Sequence, residues 1–108
     1  MPTISPDASL QTVLTTFETC PGDCADLIEE LSDAHAAFIS RQPGFIAAAL
    51  HVNDAQTRVA SYSQWQSRDH FKEMLKSAEM RGRNKRIHAL CRSFEPVMYE
   101  VLAVHDAA

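Results

Sequence analysis

Residues 43–71 read PGFIAAALHVNDAQTRVASYSQWQSRDHF and carry the strongest structural signal in the chain. They open on a Pro-Gly break, and the alternation in residues 45–52 and 58–65 predicts two extended segments. Asn53 and Asp54 between them favour a turn, and Ser67 offers the hydroxyl of a helix N-cap. This pattern predicts a β-hairpin that leads into a helix.

The sequence before the hairpin predicts a strand and a helix. Residues 10–18 (LQTVLTTFE) are rich in β-branched side chains, which favour a strand. Pro21 and Gly22 end that strand, Asp23 is the predicted helix N-cap, and apolar residues then recur at helical spacing. The helix is predicted to run to about Arg41, because the residue before a proline is disfavoured in the α conformation.

The sequence after the hairpin predicts two helical pieces and a last strand. Ser67 begins the first piece, and Gly82 is predicted to break or bend the helix before residues 83–91. Residues 94–105 (FEPVMYEVLAVH) form the predicted last strand. The resulting order, β-α-β-β-α-β, predicts an α+β, ferredoxin-like antiparallel sheet with its helices on one face.

Length and composition limit the class of protein. At 108 residues the chain suffices for one domain, predicted over residues 9–105, after a polar tail at residues 1–8 that is predicted to be flexible. The composition is 45% apolar and 22% charged, which is ordinary for a globular protein. No apolar run approaches the roughly 20 residues of a membrane span, and the N-terminus lacks the regions of a signal peptide. A cytoplasmic protein without a membrane partner is therefore expected.

Both faces of the second predicted strand are apolar. Positions 45, 47 and 49 are Phe, Ala and Ala, and positions 46, 48, 50 and 52 are Ile, Ala, Leu and Val. Helices can cover only one face of the sheet, so the other face requires a different partner. A second copy packed across a two-fold axis would meet that requirement. The chain is therefore predicted to be a homodimer.

Basic residues are concentrated in the second half of the chain. Eight of the ten Lys and Arg residues fall between Arg68 and Arg92, although the net charge is −4. Carboxylates are interleaved with them at helical spacing, as on a solvated helix face. The alternatives are a cationic rim over a pocket for an anionic ligand, or a nucleic-acid surface. No nucleic-acid-binding motif accompanies the charge, so no nucleic-acid partner is expected.

The cysteines and glycines argue against several classes of site. Cys20 and Cys24 are spaced too widely for a C-x-x-C pair, and with Cys91 they are predicted to be free, mostly structural thiols. No second clustered pair of ligands is present, so no metal site is predicted. The three glycines form neither a phosphate-binding loop nor a dinucleotide fingerprint.

The run Phe38–Phe71 combines the motifs PGF, LH, YSQW and S-x-x-x-F. It resembles the antibiotic biosynthesis monooxygenase superfamily, and within it the members that oxidise aromatic polyketides. The resemblance implies a dimeric α/β barrel that uses O2 on a small polycyclic aromatic substrate. Branches of this superfamily form quinones without a bound cofactor, cleave polycyclic rings with reduced flavin, or bind and degrade haem.

Two positions depart from the quinone-forming pattern. Ser61 stands where that branch has an Asn and Phe71 where it has a Tyr, whereas the Trp is retained as Trp65. A serine hydroxyl still donates one hydrogen bond. The departures favour a variant that uses reduced flavin or that cleaves a ring. No tightly bound cofactor is expected, and the flavin, FADH2 or FMNH2, would be a diffusible cosubstrate. The first strand lacks the Asn of the haem-degrading branch, although His88 approximates its helical His.

Strand parity predicts where the side chains of the third strand point. Ser61, Ser63 and Trp65 share the face that looks toward the helices, and Tyr62 and Gln64 share the face assigned to the dimer. Small hydroxyl residues beside a tryptophan suit a pocket for a flat aromatic ligand. The alternative is that Trp65 is a core anchor whose N–H bonds to the backbone.

The candidate catalytic residues are Trp65, His51 and Ser61. His51 matches the His that follows this strand in the family, and by strand alternation it shares a face with Phe45, Ala47 and Ala49. As a base it would take a phenolic proton. The alternative is that His51 is a structural or surface residue. His35 is expected either to face the same cavity or to be partly exposed. The candidate substrate-binding residues are a hydroxyl, three aromatic rings, this second histidine and two basic side chains for an oxyanion: Ser63, Phe45, Phe71, Phe38, His35, Arg81 and Arg86.

The sequence thus predicts an oxygenase that acts with O2 on a polycyclic aromatic metabolite. The reaction would be phenol-to-quinone oxidation, or oxidative ring cleavage with reduced flavin as cosubstrate. Two alternatives remain: a non-catalytic small-molecule-binding dimer of the same fold, and a haem-degrading monooxygenase. Consumption of O2 would separate an enzyme from a binder, and a Soret band on adding haem would reveal the third case.

Overall fold

The computed structural model describes residues 10–107, so the predicted N-terminal tail lies outside the described residues. The elements follow one another as β1 (Gln11–Glu18), α1 (Pro21–Ala37), a 3-10 helix (Ile39–Arg41), β2 (Phe45–Val52), β3 (Arg58–Trp65), α2 (Arg68–Lys76), α3 (Ala78–His88) and β4 (Ser93–Tyr99). None of the helices in this part of the chain has the length and apolar character needed to cross a membrane.

The four strands form one antiparallel sheet in the order β2-β3-β1-β4. The helices pack on one face of it, and we call the opposite face the outer face. The core between sheet and helices consists of buried apolar side chains: Val13, Phe17, Cys24, Leu27, Leu31, Ala34, Ile39, Val59, Trp65, Phe71, Met74, Met80 and Ile87. The predicted α+β, ferredoxin-like fold is confirmed.

Helix α1 begins and ends earlier than predicted. Its N-cap is Cys20 rather than Asp23, because Pro21 has the fixed φ and the missing N–H that suit the first helical position. The α-helix ends at Ala37, and residues 39–41 continue as a separate 3-10 turn. The predicted single helix to Arg41 is therefore wrong in its last turn.

The second helical region breaks at Ser77 and not, as predicted, at Gly82. Ser77 is extended; its hydroxyl donates to the carbonyl of Met74 at 2.7 Å and accepts from the N–H of Met80 at 3.2 Å. One side chain thus caps both the end of α2 and the start of α3. Gly82 lies within α3, and a Cβ added there would meet open space.

Strand β4 ends at Tyr99 and not at His105. It pairs with β1 from Ser93, opposite Glu18, to Tyr99, opposite Thr12. Because β1 begins only one residue before Thr12, residues after Tyr99 have no strand left to pair with in this sheet. Residues 100–107 have no regular secondary structure.

The loop of the predicted hairpin has five residues, 53–57. Asn53 organises it, since its side-chain oxygen accepts from the N–H groups of Thr57 and Arg58, both at 2.9 Å. Gln56 takes a positive φ of 56°, and its N–H donates to the carbonyl of Asn53 at 3.0 Å. The predicted turn at Asn53 and Asp54 is the first part of this loop.

A register shift between Phe45 and Ala47 alters which way the side chains of β2 point. Phe45 lies opposite Trp65, on the helix-facing side, whereas Ala47 lies opposite Gln64, on the outer face. One extra residue in a strand reverses the alternation beyond it. The predicted shared parity of Phe45 with Ala47, Ala49 and His51 is therefore wrong for Phe45.

Candidate active site

The third strand carries two hydroxyls and an indole into the space between sheet and helices. Ser61 lies opposite Thr15 of β1, and Ser63 lies opposite Val13. Ser61 and Ser63 are each 7% exposed, and Trp65 is fully buried. The face assigned to these residues by strand parity is the one they occupy.

Trp65 stands at the centre of an aromatic cluster. Its ring centroid lies 5.4 Å from that of Phe45 and 5.8 Å from that of Phe71, and both neighbours meet it edge-on. Its indole N–H donates to the hydroxyl of Ser63 at 3.1 Å. Trp65 is therefore a core residue, as the alternative interpretation predicted. The partner of its N–H is a side chain, however, and not the backbone.

A partly enclosed cavity of about 60 Å³ lies beside this cluster. Its wall combines apolar side chains from the sheet and all three helices with a few polar ones: Thr15, Phe17, Leu31, His35, Ile39, Ser61, Ser63, Trp65, Phe71, Met74, Leu75, Met80, Asn84, Ile87, Phe94 and Pro96. Phe38 packs against the core but is not part of this wall. The cavity is far smaller than the roughly 300–1,000 Å³ of typical ligand sites.

Asn84 is a polar residue of the cavity wall that the sequence analysis did not identify. It follows Met80 by four positions and precedes Ile87 by three, so it lies on the buried stripe of α3. That spacing is the signal that could have identified it. Asn84 brings a carboxamide, with both donor and acceptor atoms, to the space that Ser61 and Ser63 also border.

His35 lies on α1 at the cavity wall. Its Nδ1 is 2.8 Å from the carbonyl oxygen of Leu31, one helical turn earlier. A carbonyl oxygen can only accept, so Nδ1 carries the proton and Nε2 carries the lone pair. The side chain is partly buried, which leaves the ring accessible from one side.

His51 does not reach the cavity. It lies on β2 opposite Ala60, on the outer face of the sheet, and its side chain is exposed. Ser61, the neighbour of Ala60, points to the other side. The structure therefore separates His51 from the other two predicted catalytic residues, Trp65 and Ser61, by the thickness of the sheet.

The basic side chains predicted to hold an oxyanion lie outside the cavity wall. Arg83 bonds to Asp33 at 2.9 Å and to Glu79 at 2.8 Å, and the hydrogen bond to Asp33 is the main cause that raises the pKa of Arg83. Arg86 pairs with Glu30 at 3.5 Å, and Arg81 is exposed. The pairs with Asp33 and Glu30 join α3 to α1, and the pair with Glu79 lies within α3. The solvated, salt-bridged helix face predicted from the interleaved charges therefore accounts for this region.

No group of three or more potential metal ligands occurs among residues 10–107. The three cysteines are free, as predicted. Cys24 is buried in the core, and burial raises the pKa of the Cys91 thiol, whose Sγ lies 3.3 Å from the carbonyl of Ile87. A thiol with a raised pKa is a poor nucleophile at neutral pH.

A second, open depression of about 650 Å³ runs along the free edge of β2, and we call it the β2 groove. Its wall is built from α1, the 3-10 helix and β2: Ser32, His35, Ala36, Ser40, Phe45, Ile46, Ala47, Ala48, Ala49 and Leu50. Because β2 is an edge strand, its backbone and small side chains are accessible on this side.

Comparison with known proteins agrees with the fold. The family model described as antibiotic biosynthesis monooxygenase matches residues 10–86. The chain therefore belongs to the antibiotic biosynthesis monooxygenase family, and the resemblance found in residues 38–71 is confirmed. The predicted class, a monooxygenase, is confirmed at the level of that family.

Individual relatives and structural neighbours include a monooxygenase, a cofactor-independent oxygenase and an anthrone oxidase-like protein. The tetracenomycin-F1 monooxygenase of Streptomyces glaucescens is 32% identical over 74 residues, which is 68% of this chain and 66%, just under two thirds, of that protein. A mutant form of the cofactor-independent oxygenase SnoaB of Streptomyces nogalater superposes with a TM-score of 0.78 at 21% identity, covering 90% of this chain and 97% of SnoaB. An anthrone oxidase-like protein gives a TM-score of 0.85 at 23% identity over 94% of this chain and 43% of that one.

Proposed function

We propose that this protein is an oxygenase that acts with O2 on a polycyclic aromatic phenol. The observation that carries the proposal is the fully buried Trp65, held by Ser63 and flanked by Phe45 and Phe71 in a cavity that Ser61 also lines. Aromatic rings bind a flat hydrocarbon, and hydroxyls orient its oxygen atoms. The 32% identity to tetracenomycin-F1 monooxygenase supports the same class of substrate.

The simplest reaction of this kind balances without a further reductant. A ring CH2 beside a phenol becomes a C=O when one oxygen atom of O2 enters the product and the other leaves as water with the two hydrogens. The chain's own contribution is to hold the ring next to the cavity and to offer hydrogen bonds from Ser61 and Asn84, inside the cavity, to oxygen that becomes negatively charged.

We propose that flavin is not a resident cofactor of this protein. The three glycines of the chain do not form a phosphate-binding loop of the kind that would hold a resident flavin. Reduced flavin, FADH2 or FMNH2, would supply the two electrons that reduce the second oxygen atom to water. In this proposal it is at most a diffusible cosubstrate, and the departures at Ser61 and Phe71 are the reason to test for it.

The test is O2 uptake and product analysis with 1,8-dihydroxyanthrone and larger polycyclic phenols, with and without reduced flavin. Product formation without flavin identifies quinone chemistry, and product that requires flavin identifies the ring-cleaving variant. Trp65→Phe keeps an aromatic ring between Phe45 and Phe71 and loses the indole N–H, and it should lower kcat/KM by about tenfold or more. Ser93→Ala, at an exposed serine of β4, is the matched variant with no expected effect. Absence of product under both conditions would refute the proposal.

One observation favours the alternative of a non-catalytic binding protein: Arg81, Arg83 and Arg86 do not line the cavity, so none of these cations stabilises an oxyanion there. This alternative predicts tight ligand binding without turnover. Haem degradation has no comparable support, because His88 stacks on Phe94 at 4.2 Å and is not part of the cavity wall.

We also propose that the protein is a homodimer formed through the outer face. Ala49, Tyr62, Leu14 and Val97 lie side by side across all four strands on that face. Val97 is 37% exposed, and the hydroxyl of Tyr62 is buried without a hydrogen-bond partner among residues 10–107. A continuous apolar row of this kind is self-complementary across a two-fold axis.

A further inference from the structure

The cavity beside Trp65 and the proposed substrate differ greatly in size. A cavity of about 60 Å³ accommodates a few atoms, whereas typical ligand sites measure roughly 300–1,000 Å³. The β2 groove, at about 650 Å³, falls within that range. Its wall includes three consecutive residues of the edge strand, Ala47, Ala48 and Ala49, whose short side chains leave room beside the edge of β2.

Two side chains separate the groove from the cavity. His35 and Phe45 lie at the groove, His35 also lines the cavity, and Phe45 packs edge-on against Trp65 of the cavity wall. A molecule in the groove therefore touches rings that lie next to the cavity. A single layer of side chains therefore separates the groove from Trp65, the residue on which the proposed function rests.

The ring of His35 is held in one tautomer. Its Nδ1–H donates to the carbonyl of Leu31 at 2.8 Å, which leaves Nε2 as the hydrogen-bond acceptor. No residue in the described part of the chain makes a hydrogen bond to Nε2. The Leu31 carbonyl can continue to accept from Nδ1 when Nε2 gains a proton, so the imidazolium keeps its orientation.

We propose that the β2 groove binds the planar aromatic substrate and that Nε2 of His35 takes its phenolic proton. This proposal rests on the proposed function, because it names the residue that activates the phenol. The O–H bond of the phenol breaks, an N–H bond forms at Nε2, and the electron pair stays on the oxygen of the aryl oxide. The electron-rich aryl oxide is the form that reacts with O2.

The geometry favours His35 over His51 for this step. His35 lies against the groove and the cavity at once, whereas His51 is exposed on the outer face. Ser32 and Ser40 add hydroxyls at the groove wall, which suit the oxygen substituents of a polycyclic phenol. Among the described residues, no carboxylate lines the groove to repel the aryl oxide.

The proton transfer can be tested without turnover, by titrating the full chain anaerobically with 2-hydroxyanthraquinone. The visible absorption of this dye moves to longer wavelength when its phenol loses the proton. The wild-type protein should bind the dye with the shifted spectrum, and His35→Gln should bind it within about threefold of the same Kd but with the spectrum of the neutral phenol. His88→Gln, at a histidine outside the groove, should keep the shift. An unchanged shift in His35→Gln would overturn the role of His35.

The location can be tested with two neighbouring exposed alanines at the end of α1. Ala36 lines the groove and Ala37 does not. Ala36→Leu should weaken dye binding by about tenfold because its side chain fills the groove, and Ala37→Leu should leave the affinity unchanged. Equal affinities in the two variants would place the ligand elsewhere. Dye binding unaffected by Ala36→Leu, with a loss of dimer in that variant, would show that a second copy occupies the groove.

Failure of this proposal differs from failure of the proposed function. Wild-type turnover with normal activity in His35→Gln and Ala36→Leu would overturn the groove and the base while the oxygenase function stands. A His35-dependent spectral shift without turnover of any substrate would support the binding site and refute the oxygenase function.

Discussion

The indole of Trp65 is buried against Phe45 and Phe71 while its N–H bonds to Ser63. The same side chain therefore supports the core and borders the cavity. Substitutions that remove the ring and substitutions that remove only the N–H should consequently have different effects, and comparing them separates packing from chemistry.

We expect Trp65→Ala to lower the free energy of unfolding by about 3–5 kcal/mol, because it leaves a large cavity in the core. Trp65→Phe should cost clearly less, since it keeps an aromatic ring between Phe45 and Phe71. Urea unfolding followed by circular dichroism measures both. Equal losses in the two variants would contradict the packing role assigned to the ring.

Gly44 combines a positive φ of 83° with close contact to His70. A Cβ at this position would overlap the imidazole ring, which is held by the hydroxyl of Ser67 at 2.7 Å from Nδ1. Both the backbone conformation and the contact thus require glycine.

We predict that Gly44→Ala destabilises the protein by at least about 1–2 kcal/mol, the cost of a left-handed residue with a Cβ, plus the cost of displacing His70. The double variant Gly44→Ala/His70→Ala removes the overlap and should show a smaller combined loss than the sum of the single variants. Thermal unfolding of all three proteins measures this difference, and a Gly44→Ala protein as stable as wild type would disprove the account.

Helices α2 and α3 are separated by a serine and not by a glycine. Ser77 bonds to Met74 and Met80 and so satisfies one backbone group at each helix end. Gly82 is an ordinary interior residue of α3. Helix-breaking composition alone pointed to Gly82, but the local hydrogen bonds of Ser77 are what end α2.

We therefore predict opposite effects for two alanine substitutions in this region. Gly82→Ala should raise the free energy of unfolding by roughly 0.5–1 kcal/mol, because alanine has the higher helix propensity and open space surrounds the site. Ser77→Ala should lower it by about 1 kcal/mol through loss of the cap. Chemical denaturation distinguishes the two, and a loss of stability in Gly82→Ala would mean that the glycine has a packing role.

The outer face links the fold to the proposed assembly. An apolar row crosses all four strands there, and Tyr99 and Val97 add exposed area at β4. A single layer of helices cannot cover both sides of a sheet, so this face is the one that a second copy would bury.

We expect a particle of twice 12.0 kDa in light scattering coupled to size-exclusion chromatography. Val97→Lys should shift it toward the monomer, since burying a charge at the β4 end of the apolar row is unfavourable. Val52→Lys, at a valine that is 49% exposed on the opposite side of the sheet, is the matched control and should remain dimeric. A monomeric wild-type protein at micromolar concentration would refute the dimer.

Local sequence patterns were sufficient for the elements, their order and the face of β3 that carries Ser61, Ser63 and Trp65. Alternation along a regular strand and the N-cap at Ser67 depend on neighbouring residues, so they can be recognised without knowing what packs nearby. The family resemblance rested on the same stretch, residues 38–71.

Features that depend on contacts between distant segments required the tertiary structure. The bulge in β2 reverses the side of Phe45 because its register is set by pairing with β3, and β4 stops at Tyr99 because β1 has no further residues to pair with it. The positions of His35, Asn84 and His51 relative to Trp65 follow from how α1, α3 and β2 pack on the sheet. Periodicity assigns a residue to one face of its own element, whereas only the packing of elements against each other brings the side chains of a site together.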